Sequence, residues 1–198
     1  STGIISTIVG TGVAGNSGNG GLAIVALINS PSDMVLDSSD NIYFSCQGSN
    51  IINKISTTGI MTTIIGTGTS GYTGDGGQAL SATISSPYQL FLNKTTNFIY
   101  FVEGVTSIVR KVDLNSGIIS TFAGNGINNY AGDGGQATLA SFYSARGIVF
   151  DIAGNAFISE YFAVRKVDTT GVITTYAGTG TGGSSGDGGT PTLATLNQ

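Results

Sequence analysis

The stretch GIISTFAGNGINNYAGDGG, residues 117–135, decides the reading of this chain because it occurs four times. The other copies are GIISTIVGTGVAGNSGNGG from Gly3, GIMTTIIGTGTSGYTGDGG from Gly59 and GVITTYAGTGTGGSSGDGG from Gly171, at spacings of 56, 58 and 54 residues. Self-similarity at such a period marks an array of supersecondary units that bury their faces against one another. After each of the first three copies the same events follow: a short segment (22–30, 78–86, 136–144), then three strand-like runs.

Those runs are short, β-branched or aromatic, and bounded by turn residues. They cover 33–37, 41–46 and 51–56 in the first unit, 89–93, 98–103 and 107–113 in the second, and 147–151, 156–160 and 163–168 in the third. The links SSDN, KTTN and AGN between first and second runs have hairpin-turn chemistry. The fourth strand of each unit is the next copy of the motif: 59–66, 117–124 and 171–178. Four antiparallel strands in about 55 residues is the arithmetic of a β-propeller blade. The expected fold is therefore all-β, with blade repeats over 11–66, 67–124 and 125–178. Residues 1–10 form a spare outer strand, 179–198 a spare interblade loop, and helix is limited to a turn after each GDGG.

Composition excludes several functions. The chain has 198 residues, 7 Lys+Arg against 11 Asp+Glu, no His, one Cys and 32 Gly. Without His there is no imidazole base, His metal ligand or Ser-His-Asp triad. Cys46 alone forms neither an internal disulfide nor a multi-Cys zinc site, and its strand setting marks it as a packed small residue. A net charge of −4 speaks against a nucleic-acid partner, which needs clustered cations. No apolar run is long enough to span a membrane. Charged residues are 9% of the chain, so little charge keeps such surfaces apart, and glycans or an assembly are expected to cover them.

The pattern of a Gly-rich GDGG loop followed by a strand, a D-x-x-GN turn and an R-K-V-D run resembles the NHL-repeat family of β-propellers. The pieces that carry the resemblance are 71–79, 132–137, Asn155, 108–113 and 163–168, and the likeness covers essentially the whole chain. It implies a propeller, mostly six-bladed in that family, whose members bind proteins, glycans or RNA. One enzymatic relative is a peptide-amidating lyase with a metal site that a His-free chain does not resemble. Three blades do not close a ring. Either the chain is a piece of a longer propeller, as the missing initiator Met also suggests, or copies complete one another as closed dimers or head-to-tail polymers.

Comparison among the units picks out residues that change together. The second runs end in Cys46, Glu103 and Glu160, while the third runs carry Asn53, Arg110 and Arg165 at the matching place. Acid and arginine come and go as a pair, which predicts two structural cross-strand pairs, Glu103 with Arg110 and Glu160 with Arg165. The loop acids Asp75, Asp133 and Asp187, with Asn19 in the first copy, are expected to bond nearby backbone N–H groups or cap the following turn. The alternative is a weak Ca²⁺ site on Asp75, Asp133 and Asp187, with one carboxylate per loop. Tyr72, Tyr130 and Tyr176 are expected to pack locally, the alternative being surface contacts. Asn93-Lys94-Thr95 is the glycosylation sequon, in an exposed hairpin turn.

The sequence favours a non-catalytic, extracellular structural protein whose blades self-associate, with copies of itself as partner. The competing class is a recognition or sensor propeller at the cell surface, binding a ligand, glycan or protein. A cluster of exposed aromatic residues or acids on one face of a closed ring is the feature that favours the competitor.

Overall fold

The computed structural model describes residues 3–197. Twelve strands fall into three antiparallel sheets of four, each in sequential order. The first sheet holds β1 (Pro31–Leu36), β2 (Ile42–Cys46), β3 (Ile51–Ile55) and β4 (Met61–Ile65). The second holds β5 (Pro87–Asn93), β6 (Phe98–Glu103), β7 (Ile108–Asp113) and β8 (Ile119–Ala123). The third holds β9 (Gly147–Phe150), β10 (Ala156–Glu160), β11 (Ala163–Val167) and β12 (Ile173–Ala177). These are the blades of a propeller, with the first strand β1 beside β5 and β5 beside β9. One 3₁₀ turn follows each Gly-rich loop, at Ala23–Val25, Ala79–Ser81, Ala137–Leu139 and Pro191–Leu193.

Packing explains the strand composition. In β6 (FIYFVE) every residue after Phe98 is buried, because both sheet faces are covered and alternation is not required. One core joins blades one and two through Ile52, Ile65, Ile84, Leu90, Ile99 and Phe101. A second joins blades two and three through Val102, Val109, Phe142, Ile148 and Ile158. The far face of blade one, with Phe44, Ile51, Ile55 and Met61, is covered by Ala23, Ala26 and partly buried Val9, Ile28 and Ile42. Side chains on the first strands tie neighbouring blades: Leu90 N–H donates to Asp33 (2.8 Å), and Ile148 N–H to Gln89 (2.6 Å).

Of the outer strand expected over 1–10, the described part, 3–10, is not a strand. Over 3–10 the chain forms no ladder, and Ile4 and Ile5 are 81% and 95% exposed. A fourth strand needs a third to pair with, and none precedes this copy of the motif among the described residues. Ser1 and Thr2 of that segment lie outside the described residues, as does Gln198 of the C-terminal loop.

Candidate functional site

Each third strand meets its fourth through a register shift, between Ile52 and Asn53, Val109 and Arg110, and Val164 and Arg165. The extra residues are Ile64, Phe122 and Tyr176. Such a bulge disrupts the ladder locally and frees backbone groups for other partners. Here the freed N–H belongs to a threonine, and the loop acid takes it. Thr121 N–H donates to Asp75 (2.8 Å) and Thr175 N–H to Asp133 (3.0 Å), while in blade one Thr63 N–H donates to Asn19 (2.8 Å).

The loop acids also hold the arginines. Arg110 sits between Glu103 (3.1 Å) and Asp75 (2.5 Å). Arg165 sits between Glu160 (3.4 Å) and Asp133, with its Nε donating to Asp133 at 3.1 Å. Both arginines are fully buried. In blade one the same three places are neutral: Asn53 Nδ2 donates to Cys46 Sγ (3.6 Å), and Asn53 Oδ1 accepts from Thr63 (2.9 Å). The unit of co-variation is thus a triad: Asp75–Arg110–Glu103, Asp133–Arg165–Glu160, and their neutral counterpart Asn19–Asn53–Cys46.

Asp75 and Asp133 thus bond backbone N–H groups, as expected, but the capping alternative is corrected. None of the loop acids caps the 3₁₀ turn that follows it. The carboxylates of Asp75 and Asp133 lie against a guanidinium, which repels a divalent cation, so the calcium expectation for these two gives way to an ion pair. The loop geometry is built for that pairing. Gly132 has φ +101°, and a Cβ there would lie 2.7 Å from Ala140 Cα, which holds Asp133 in register with the bulge. Two carboxylates share each arginine, and burial decides between them. Burial pushes the Glu103 carboxyl up to about 7 against the pull of Arg110, Thr106 and Ser85 N–H. Burial also raises Glu160, whereas hydrogen bonds from Thr175 and Arg165, with the charge of Arg165, outweigh burial and hold Asp133 low.

A second cluster lies where the innermost strands begin and the turns from second to third strand fold over. Ser32, Tyr88 and Arg146 occupy matching places at the starts of neighbouring innermost strands. The Arg146 guanidinium lies 4.7 Å from the Tyr161 ring centre and 5.9 Å from that of Tyr88, and donates to Tyr161 Oη (2.6 Å). Tyr143 stacks on Phe162 at 5.4 Å, with its backbone N–H held by Glu160 at 2.6 Å. Tyr88 and Tyr143 are each 39% exposed. Among the described residues Arg146 is the arginine with no carboxylate partner, and its Nε is buried without a hydrogen bond. Repeat comparison misses this cluster because it belongs to two blades only; the aromatic Tyr161-Phe162 turn, where other blades carry Gln47–Ser49 and 104–107, is its sequence signal.

Of the other tyrosines, Tyr130 lies under Arg165, 4.8 Å from the guanidinium, and bonds Thr175. Tyr176 packs edge-on against Phe157 at 4.9 Å, and Tyr72 is half-exposed beside Gly126.

Residues 125–188 match the family model described as the teneurin NHL domain. That stretch, the third repeat with the loop after it, is similar to the NHL type. Solved structures share the fold of these blades. A protein of unknown function from Bacteroides thetaiotaomicron superimposes with TM-score 0.65 at 24% identity, covering 84% of this chain and 40% of that one. An auxiliary nutrient binding protein from Bacteroides ovatus gives TM-score 0.58 at 15% identity, covering 80% and 38%. A chain of a nidogen/laminin complex gives 0.55 at 14% identity, covering 78% and 51%. The chain thus spans between 38% and 51% of these three structures. No curated protein matches the sequence significantly. No helix among the described residues is long and apolar enough to cross a membrane.

Proposed function

We propose that this NHL propeller chain is a non-catalytic recognition module that binds an acidic protein segment on the face holding Tyr88, Tyr143, Arg146, Tyr161 and Phe162. The observation that carries the reading is Arg146, a guanidinium without a carboxylate partner stacked among partly exposed tyrosines. Tyr and Arg are the side chains that dominate protein interfaces, and a guanidinium framed by rings takes a carboxylate bidentately while the rings cover its apolar stem. This cluster lies on a three-bladed array and not on a closed ring, and it supports recognition over a purely structural role. Likeness to a nutrient binding protein and to a chain from a laminin complex supports the same direction at the level of fold.

An extracellular or cell-surface setting suits this reading. Asn93 ends β5 in an exposed turn, its Oδ1 accepting from Thr95 N–H (3.0 Å) and Thr96 N–H (3.1 Å), which leaves Nδ2 for an N-linked glycan. Selection of binding peptides from a random display library tests the proposal. Enrichment of Asp- and Glu-rich sequences is expected, with binding that weakens as salt rises; enrichment of neutral or basic sequences contradicts it.

One observation favours self-association as a second reading. Blade one and the segment before it expose Ile4, Ile5, Ile8, Met34 and Leu36, with Ile8 and Met34 lining one apolar cleft, and such exposed apolar side chains mark an interaction surface. Sedimentation of the native chain as a monomer at high concentration would remove this reading.

A further inference from the structure

Blades two and three enclose a cleft of about 460 Å³ on the side where the innermost strands end, away from the Tyr88–Arg146 cluster where they begin. Its aromatic wall is made by Tyr100, Phe122 and Phe150, with ring centres 4.6, 5.2 and 5.8 Å apart. Lys111 brings the one cation of the lining, its Nζ 5.6 Å from the Phe98 ring centre and 5.9 Å from that of Phe122. It has no carboxylate within ion-pair distance among the described residues. Blade one fills the matching place differently. There Tyr43 stands for Tyr100, and its hydroxyl donates to Asp37 at 3.2 Å. In blade two Asn93 replaces Asp37, two residues beyond the cross-strand partner of the tyrosine, and its Oδ1 accepts from Thr95 and Thr96 N–H. Tyr100 is only 9% exposed, yet its hydroxyl makes no hydrogen bond among the described residues. That hydroxyl is not sealed off as Arg146 Nε is, and Tyr100 lines the cleft. Burial raises its pKa, so it remains a donor at neutral pH. The mouth is open for a local reason. At the first junction Leu114, the residue after Asp113, packs on the core between blades one and two. At the second, Thr169 follows Asp168, is exposed and lines the cleft.

We propose that this cleft binds a small planar aromatic carboxylate, its ring laid against Phe122 and Phe150 and its carboxylate taken by the Tyr100 hydroxyl and the Lys111 ammonium. The class follows from what the site leaves unmet. A buried donor without an acceptor costs free energy that an incoming acceptor recovers. Beside a cation the best acceptor is an anion, whose charge-assisted bonds are roughly twice as strong as neutral ones. The ligand then supplies to Tyr100 what Asp37 supplies to Tyr43, which also has a lysine beside it, Lys54 Nζ lying 5.4 Å from its ring centre. Aromatic walls take flat rings in offset or edge-on contact, and the volume is that of a small-molecule site. Asp168, the one acid in the lining, has its Oδ1 engaged by the N–H and hydroxyl of Thr170 and by Val172 N–H; its charge steers the ligand carboxylate to the Lys111 end. Both walls belong to complete blades, and the proposal does not depend on the reading of the Tyr88–Arg146 face.

The test titrates 2-naphthoate into the full chain by calorimetry, with 2-naphthylmethanol as its uncharged counterpart. The acid is expected to bind with a dissociation constant of about 1 mM or tighter, and the alcohol at least about tenfold more weakly. Tyr100→Phe, a change that blade three already carries at Phe157, should weaken the acid about tenfold, and Lys111→Met at least as much. Thr169→Leu, which copies Leu114, should block the mouth and abolish binding. Tyr43→Phe in blade one and Arg146→Ala should leave it unchanged. Melting curves of Tyr100→Phe and Thr169→Leu should lie close to that of the native chain, and the comparison of acid with alcohol needs no variant at all. No binding of the acid, equal binding of acid and alcohol, or binding that survives Thr169→Leu would overturn the proposal. Loss of binding in Arg146→Ala would also overturn it, because the anion would then sit on the Tyr88–Arg146 face, whose own reading would stand.

Discussion

At the scale of single residues, the buried arginines decide the cost of change. Removing Arg110 leaves Glu103 buried without its counter-charge, so Arg110→Asn should destabilise the chain by about 3–5 kcal/mol in urea unfolding. The triple change Asp75→Asn, Glu103→Cys, Arg110→Asn copies the neutral set of blade one. It should cost less than Arg110→Asn alone, because no charge is stranded; a triple variant weaker than the single one would speak against the triad. Acidity gives a second check. The folded Glu103 carboxyl, raised to about 7, holds a proton that the unfolded chain releases at an ordinary carboxylate pKa. Its contribution to stability is thus complete below pH ~4.5 and declines as pH rises through 7. Glu103→Gln should flatten that slope of midpoint against pH, and an unchanged slope would place the titration elsewhere.

At the scale of elements, the blade strands and the 3₁₀ turns after the Gly-rich loops were legible because they repeat, and repetition averages out the ambiguity of any one short apolar run; the further 3₁₀ turn at Gln47–Ser49, which does not repeat, was not. Observed strands differ from the expected runs by at most two residues at any end, as at Pro31 and Pro87, whose starts precede bulges in the β1–β2 and β5–β6 ladders. Two further things were not legible. Strand formation over 3–10 depends on a neighbour, which propensity does not encode. The third member of each triad lies 32 or 35 residues before its arginine, and only the folded bulge brings it there. The Glu–Arg pairing was visible because its two positions sit on neighbouring strands. Loop geometry carries its own prediction: Gly132→Ala pits a Cβ against Ala140 at positive φ and should cost about 1–3 kcal/mol. The same change at Gly134, with no atom within 4 Å, should be milder, about 1 kcal/mol from φ alone. Paired melting curves decide whether the close approach matters.

At the scale of the whole molecule, scarce charge is spent internally. Six of the 18 charges form the two triads. Asp37, Asp113, Asp151 and Asp168 accept from side chains and backbone N–H groups in their turns, which holds their carboxyls low. Those four contribute stability above pH ~3.8 that is lost as pH falls through their lower folded values. Asp33 serves the joint between blades one and two. Against that background an arginine with no acid beside it, on a face with four partly exposed aromatic rings, stands out as the group left for a partner. The most direct measurement is calorimetric titration of a short Asp- and Glu-rich peptide into the native chain and into Arg146→Ala, with melting curves of both. The account predicts at least about tenfold weaker binding by the variant, the loss of a hot-spot arginine, with a melting temperature that stays close to that of the native chain. Equal affinity for the two proteins would contradict it.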